Sequence, residues 1–405
     1  MQDLISLILL FYKASTIWNI GSDVGKTDPT IVNPTFNVLD YKAIGDGIKD
    51  DSNAFMEAWE AVCRVDTSAT PTLIIPSGKT FLLKPIEFHG PCNASNIYVQ
   101  VLGNIVAPND ISEYIKDDEI DDKWLGFSNI TGLVIDGFGL INGQGSIWWA
   151  PNTCKNAKAL RFHKCNGLRL SGLRHVNSQK NHISIFQCND VIISGLHITA
   201  PEESPNTDGI DISQSSHIQI KDSFIGTGDD CVAINGGSSF INITNITCGP
   251  GHGISVGSLG ADGNNESVEG VNVQNCNFSR TTNGLRIKTW QGGSGFARNI
   301  SFQQINLKAV ANPIIIDQFY CNSGHGCKIQ ASAVKVSNVT FKGVQGTSIT
   351  DKAIQLSCSK TVGCSDILLN QINITSTVGG KKTNSSCSNA QGKCINCYPP
   401  VTCLE

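Results

Sequence analysis

The stretch TGDDCVAIN (227–235) places Asp229 beside Asp230 just ahead of an apolar run. Gly-Asp pairs are ordinary turn residues, so the pair gains chemical meaning only if other reactive groups join it. Candidates recur at similar positions along the chain: Asp208 in SPNTDGIDI, His252 in GPGHGISV, and Arg286 with Lys288 in NGLRIKT. Carboxylates crowded together repel, so their pKa values separate and they titrate as a coupled set. One protonated and one ionised carboxyl is the equipment of glycoside hydrolysis, an acid for the leaving oxygen and a base or nucleophile. Arg286 and Lys288 beside them would hold the carboxylate of an anionic sugar, Arg through its bidentate fork. Clustered carboxylates also suit Ca²⁺, a reading weakened by two neighbouring cations.

Elements that would gather these groups are written in a repeat. The limbs GLRLSGL, DVIISGL, HIQIKDS, FINITNI, GVNVQNC, NISFQQI, NVTFKGV and DILLNQI alternate apolar and polar residues, the period of a strand buried on one face. Their leading apolar residues are Leu168, Val191, Ile218, Ile241, Val271, Ile300, Val339 and Ile367, mostly 23 to 30 residues apart with one longer step. A second limb follows each: NHISIFQ, DGIDISQ, DCVAING, HGISVGS, NGLRIKT and NPIIIDQ. Repeats of this length bury a face only by stacking on their neighbours. Short strands joined by Asn/Gly turns, two limbs per repeat, argue for a parallel β-helix over a β-sandwich.

Aligning the second limbs on Ile183, Ile210, Val232, Ile254, Leu285 and Ile314 puts Asn181, Asp208, Asp230, His252, Asn283 and Asn312 in the column two places earlier. With strands about 4.8 Å apart, Asp208, Asp230 and His252 fall on three successive rungs at one edge. Arg286 and Lys288 face outward one rung later, and Tyr320 ends the next limb. The Asn residues of the column read as a structural ladder. Lys180 and His182, one rung before Asp208, either contact substrate or face solvent. Asp208 and Asp230 carboxylates about 5 Å apart would suit a retaining pair. A turn of Asp229 across the cleft would open the longer inverting separation.

Balanced charge, formally −4, lacks the basic footprint of nucleic-acid binding. Sixteen cysteines fit an oxidising compartment; Cys394 and Cys397 form a CxxC without a partner pair and read as a disulfide. Short spacings suggest Cys321–Cys327 and Cys358–Cys364. Sequons include Asn93, Asn129, Asn265 and Asn384 as candidate glycosylation sites. The apolar run LISLILLFY (4–12) is too short for a bilayer and suits a leader segment over 1–22. A helical pattern over 50–63 would cap the solenoid's N-terminal end. The body is expected over 35–378, with a disulfide-pinned tail over 379–405.

The segments SPNTDGIDI, GTGDDCVAI, CGPGHGISVGSLG and NGLRIKTWQGG, in that order, resemble the signature motifs of plant polygalacturonases, which hydrolyse pectin. The resemblance runs from about residue 35 to 376 and includes FNVLDYKAIGDGIKDDSNAFMEAWEAVC, DGFGLINGQGSIWW and IIIDQFYC. It implies a right-handed parallel β-helix and an inverting hydrolase of de-esterified pectin that acts without metal or other cofactor; the cysteines point to a secreted chain, which we expect to be a monomer. Carried over residue by residue, it makes Asp229 the general acid, Asp208 and Asp230 the holders of the attacking water, and His252 the group that tunes the acid. Arg286, Lys288 and Tyr320 would bind the galacturonate carboxylate. It also pairs Cys231 with Cys248. Gln179 departs from a proline common in the family, which bears on outer subsites. A calcium-dependent pectate lyase, or a non-catalytic wall-binding β-helix, are the competing readings.

Overall fold

Alternation in the second limbs becomes strand stacking in the computed structural model, which describes residues 33–66, 68–116, 119–120, 123–149, 158–321, 327–328 and 330–404. The expected leader over 1–22 lies outside them. Eleven strands form one parallel sheet: β1 (Ile86–His89), β2 (Lys123–Ser128), β3 (Lys158–His163), β4 (Ile183–Phe186), β5 (Ile210–Ser213), β6 (Val232–Ile234), β7 (Ile254–Leu259), β8 (Asn283–Trp290), β9 (Asn312–Tyr320), β10 (Lys352–Ser357) and β11 (Asn384–Ser388). The aligned apolar residues are true register partners, Ile183 with Ile210 and onward through Val232, Ile254 and Leu285 to Ile314. Ile210, Val232, Ile254 and Leu285 are wholly buried, each worth about 1.5–3 kcal/mol of transfer free energy. A one-residue slip would drive Asp211 and Arg286 into that core, so the register is strongly specified.

First limbs pair in the same way in a second parallel sheet of twenty strands, with Val191, Ile218, Ile241, Val271, Ile300, Val339 and Ile367 in one register column. Each turn of chain therefore supplies strands to both sheets, and the result is a parallel β-helix. Corners between strands carry Asn in the left-handed region, as at Asn245, Asn275, Asn299 and Asn338, because its short amide tolerates that backbone better than most side chains. The corner amides stack as a ladder, Asn338 Nδ2 donating to Asn299 Oδ1 at 2.7 Å.

The helix expected over 50–63 is α1 (Ser52–Cys63). Phe55 packs edge-on against Phe81, and Trp59 meets Phe88 and Phe127 of the first rungs. At the other end the stack runs beyond the boundary expected at 378. β11 and β12 (Ala390–Tyr398) both join the ladder. The apolar repeat stops short because cysteines take the core register there: Cys387 pairs with Leu356, Cys394 with Leu369 and Cys397 with Ile372.

Disulfides join Cys231–Cys248, Cys321–Cys327, Cys358–Cys364 and Cys394–Cys397, with Cys63–Cys92 and Cys387–Cys403 in addition. The even cysteine count does not mean full pairing, since Cys165, Cys188 and Cys276 are buried thiols. Asn93, Asn129, Asn265 and Asn384 are exposed. Among the described residues no helix is long and apolar enough to cross a membrane.

Candidate active site

The residues that matter sit in the turns that feed β5, β6 and β7, where the ladder continues past the strands. His182 N–H donates to the Asp208 carbonyl at 2.8 Å, Gly209 N–H to the Asp230 carbonyl at 2.9 Å, and Cys231 N–H to the Gly253 carbonyl at 2.8 Å. Asp208, Asp230 and the His252 turn are thus held on consecutive rungs. Gly228 is required ahead of the acidic pair, because a β-carbon there would lie 2.0 Å from the Ser204 carbonyl oxygen. Thr207 Oγ1 accepts the Gly228 N–H at 3.0 Å. Cys231, directly after the pair, is anchored to Cys248 on the first-limb strand of the next repeat.

The two adjacent aspartates separate completely in their partners. Asp230 is fully buried. Its Oδ1 accepts from Ser255 Oγ at 2.8 Å and from Arg286 at 2.7 Å, and its Oδ2 accepts from Lys288 Nζ at 3.0 Å. Asp229 retains 22% side-chain exposure and meets His252 Nδ1 at 2.9 Å; its Oδ1 also accepts the Asp230 N–H at 2.8 Å. Asp229 and His252 therefore face the cleft while Asp230 lies beneath it. Among the described residues no group hydrogen-bonds the Asp208 carboxyl.

Electrostatics divides the carboxyls further. Burial, then the charges of Asp211, Asp229 and Asp230, push Asp208 well above the usual carboxylate range. Burial and the charges of Asp230 and Asp229 push Asp211 up to about 7. For Asp229 burial acts upward, but the His252 hydrogen bond and charge, the Lys288 charge and the Asp230 N–H outweigh it and the carboxyl lies below its ordinary value. Of these carboxyls, Asp208 and Asp211 therefore hold a proton more readily than Asp229.

Arg286 and Lys288 are mostly buried and both engage Asp230, so they carry a structural ion pair as well as any ligand. Lys288 Nζ lies 5.2 Å from the Tyr320 ring centre, and Trp290 packs edge-on against that ring. Lys180 is exposed, and its charge lowers the Asp211 carboxyl against the effect of burial. His182 does not face solvent or the cleft. Its ring is wholly buried and bonded to backbone, because strict alternation begins only at Ile183 and the turn before it folds the ring inward. Asn283 and Asn312 form the expected ladder, whereas both amide atoms of buried Asn181 lack a partner.

Two participants escaped the column reading. Ser255 bridges Asp230 and Arg286, accepting from Arg286 Nε at 2.9 Å. Asp211, half-buried with an enclosed Oδ1 that has no hydrogen-bond partner, adds a fourth carboxyl. Both share the outward register of Arg286, and that shared register is the signal that would have found them. One oxygen each of Asp229 and Asp230 and one His252 nitrogen lie within 4.8 Å of one another. A metal bound there would compete for Asp230 with Ser255 and Arg286 on Oδ1 or with Lys288 on Oδ2.

A family model described as glycosyl hydrolases family 28 matches residues 66–397. A probable polygalacturonase of Arabidopsis thaliana is 49% identical over 373 residues, covering 91% of this chain and 80% of its own. A polygalacturonase of Persea americana is 47% identical over 362 residues, covering 87% of this chain and 76% of its own. Among solved structures, the endo-xylogalacturonan hydrolase from Aspergillus tubingensis superposes with a TM-score of 0.77 at 22% identity, over 90% of this chain and 99% of that one.

Proposed function

From the premise that the chain belongs to glycosyl hydrolases family 28, we propose how its residues divide the work of a polygalacturonase that hydrolyses galacturonan. The observation that carries the proposal is the separation of Asp229 from Asp230, one open to the cleft on His252 and one locked beneath it by Arg286 and Lys288.

Asp229 protonates the glycosidic oxygen, a role supported by its opening to the cleft beside His252. Water attacks the anomeric carbon, the carbon–oxygen bond breaks, and its electron pair leaves on that oxygen, which takes the Asp229 proton. In its ionised form Asp208 takes the proton of the water, since its carboxyl is not engaged by other side chains, while both Asp230 oxygens already accept from protein donors. The substrate carboxylate, drawn to the face of Arg286 and Lys288 lined by Tyr320, weakens the hold of Lys288 on Asp229 and raises that carboxyl toward the pKa an acid requires. Displacement by water on the opposite face inverts the anomeric centre. The substrate is de-esterified pectin with α-1,4-linked galacturonates. Six disulfides among the described residues and four exposed sequons support an extracellular, glycosylated protein.

A second reading exchanges the roles, because in the free protein Asp208 is raised and Asp229 lowered. An aryl galacturonide, whose leaving group departs without protonation, separates the two. The variant lacking the acid recovers turnover on the aryl substrate, and the variant lacking the base does not. Recovery by Asp229→Asn alone supports the first reading; recovery by Asp208→Asn alone replaces it with the second. Proton NMR of the newly released anomer tests inversion in the same samples.

A further inference from the structure

We propose that His182 is a positioning residue for Asp208: its Nδ1–H, fixed in one tautomer by the backbone N–H of Ser178, holds the Asp208 carbonyl and so aims the carboxyl into the reacting centre. The proposal rests on the assignment of Asp208 to that centre.

Each of the other two aspartates is aimed by bonds at its own carboxyl. Asp230 is gripped by Ser255, Arg286 and Lys288, and Asp229 by His252 and a backbone N–H. Asp208 has no such bond among the described residues, which leaves its main chain as the hydrogen-bonded part of the residue. That main chain is held with an extra bond. The Asp208 carbonyl takes the ordinary ladder donor, His182 N–H at 2.8 Å, and also the His182 ring, Nδ1 lying 3.0 Å away. One rung later the Asp230 carbonyl takes only the Gly209 N–H among the described residues. Gly209 belongs to the same peptide group as the Asp208 carbonyl, so that peptide is clamped on both sides.

Ring chemistry settles which nitrogen donates. Ser178 N–H, 3.3 Å from His182 Nε2, can only donate, so Nε2 is the acceptor and the proton resides on Nδ1. Burial pushes the ring's pKa down to about 4. Beside it His175, also buried, packs edge-on at 5.0 Å. A second proton on His182 would set one N–H against another at Ser178. The ring is wholly enclosed, and direct contact with sugar is not its task.

Steady-state kinetics on polygalacturonate, with folding checked by circular dichroism, test the proposal with a matched pair of variants. His182→Asn keeps an amide donor at the Nδ1 position and loses the acceptor; His182→Gln keeps an acceptor near Nε2 and loses the donor to Asp208. The expected result is that His182→Asn retains a kcat about tenfold above His182→Gln, with KM equal in both, in line with the cost of misaiming a reacting group. Equal kcat values, the reverse order, or a change confined to KM overturns the proposal. Asp208→Asn is the control: if it keeps wild-type kcat, Asp208 lies outside the reacting centre and the proposal falls with that assignment. Loss of kcat in Asp208→Asn together with equal His182 variants leaves the reacting centre intact and removes only the positioning role.

Discussion

His252 and Asp229 are joined at 2.9 Å, and that contact opposes the effect of burial on the carboxyl. Burial alone would raise Asp229; the ring's hydrogen bond and charge are the largest downward influences. His252→Ala is therefore expected to raise the Asp229 pKa and to move the limb of the pH–rate profile that Asp229 controls to higher pH. Carbon-13 NMR titration of labelled aspartate, read beside the pH–rate profile, checks both. An unchanged Asp229 titration would mean that the contact does not hold the carboxyl down.

Removing one cation from Asp230 leaves a buried acid short of partners. Arg286→Ala and Lys288→Ala are each expected to lower stability by about 3–5 kcal/mol, in addition to any loss of substrate affinity. Asp230→Asn, introduced into either background, should restore part of that stability but not activity. Denaturant melts of the single and double variants give the coupling directly. Purely additive effects would contradict the ion pairs seen here.

Asp211 predicts a pH dependence of stability with a definite sign. Its folded pKa, about 7, lies above the unfolded value of 3.8, so the folded chain holds a proton that the unfolded chain releases between those limits. The contribution is fully present below about pH 4 and is lost as pH rises through 7. Asp211→Asn should accordingly stabilise the protein near neutrality, by an amount on the order of 3 kcal/mol, and do little at pH 4. Thermal melts at the two pH values decide it; a gain of equal size at both would point to packing instead.

Much of this was legible because a β-helix writes its register in one dimension. Ile210, Val232 and Ile254 align in the sequence and align in space, so any residue at a fixed offset from them is placed as well, which is how Asp208, Asp230 and His252 could be brought together. What failed was orientation inside turns. His182 has the parity of an outward residue, yet it precedes the strand and its ring turns in. Ser255 and Asp211 sit on the outward register of Arg286, but an outward Ser or Asp is unremarkable until its partners are known. The split between Asp229 and Asp230 depends on the partners each carboxyl meets, His252 for one and Ser255, Arg286 and Lys288 for the other, which composition does not reveal. At the C-terminal end, Cys387, Cys394 and Cys397 fill core positions that an apolar pattern cannot recognise.

Since Asp208, Asp229–Asp230, His252 and Arg286–Lys288 come from four consecutive rungs, the distances between them are counted in whole strand spacings. Inserting or deleting one coil between Asp208 and Lys288 would shift half of the constellation by about 4.8 Å and dismantle it. A coil gained or lost before Lys180 or after Tyr320 would change only how far the cleft extends along the axis. The architecture thereby lets the length of sugar chain accommodated vary independently of the bond-breaking apparatus, so lineages of such proteins are free to diversify in reach while their chemistry stays fixed.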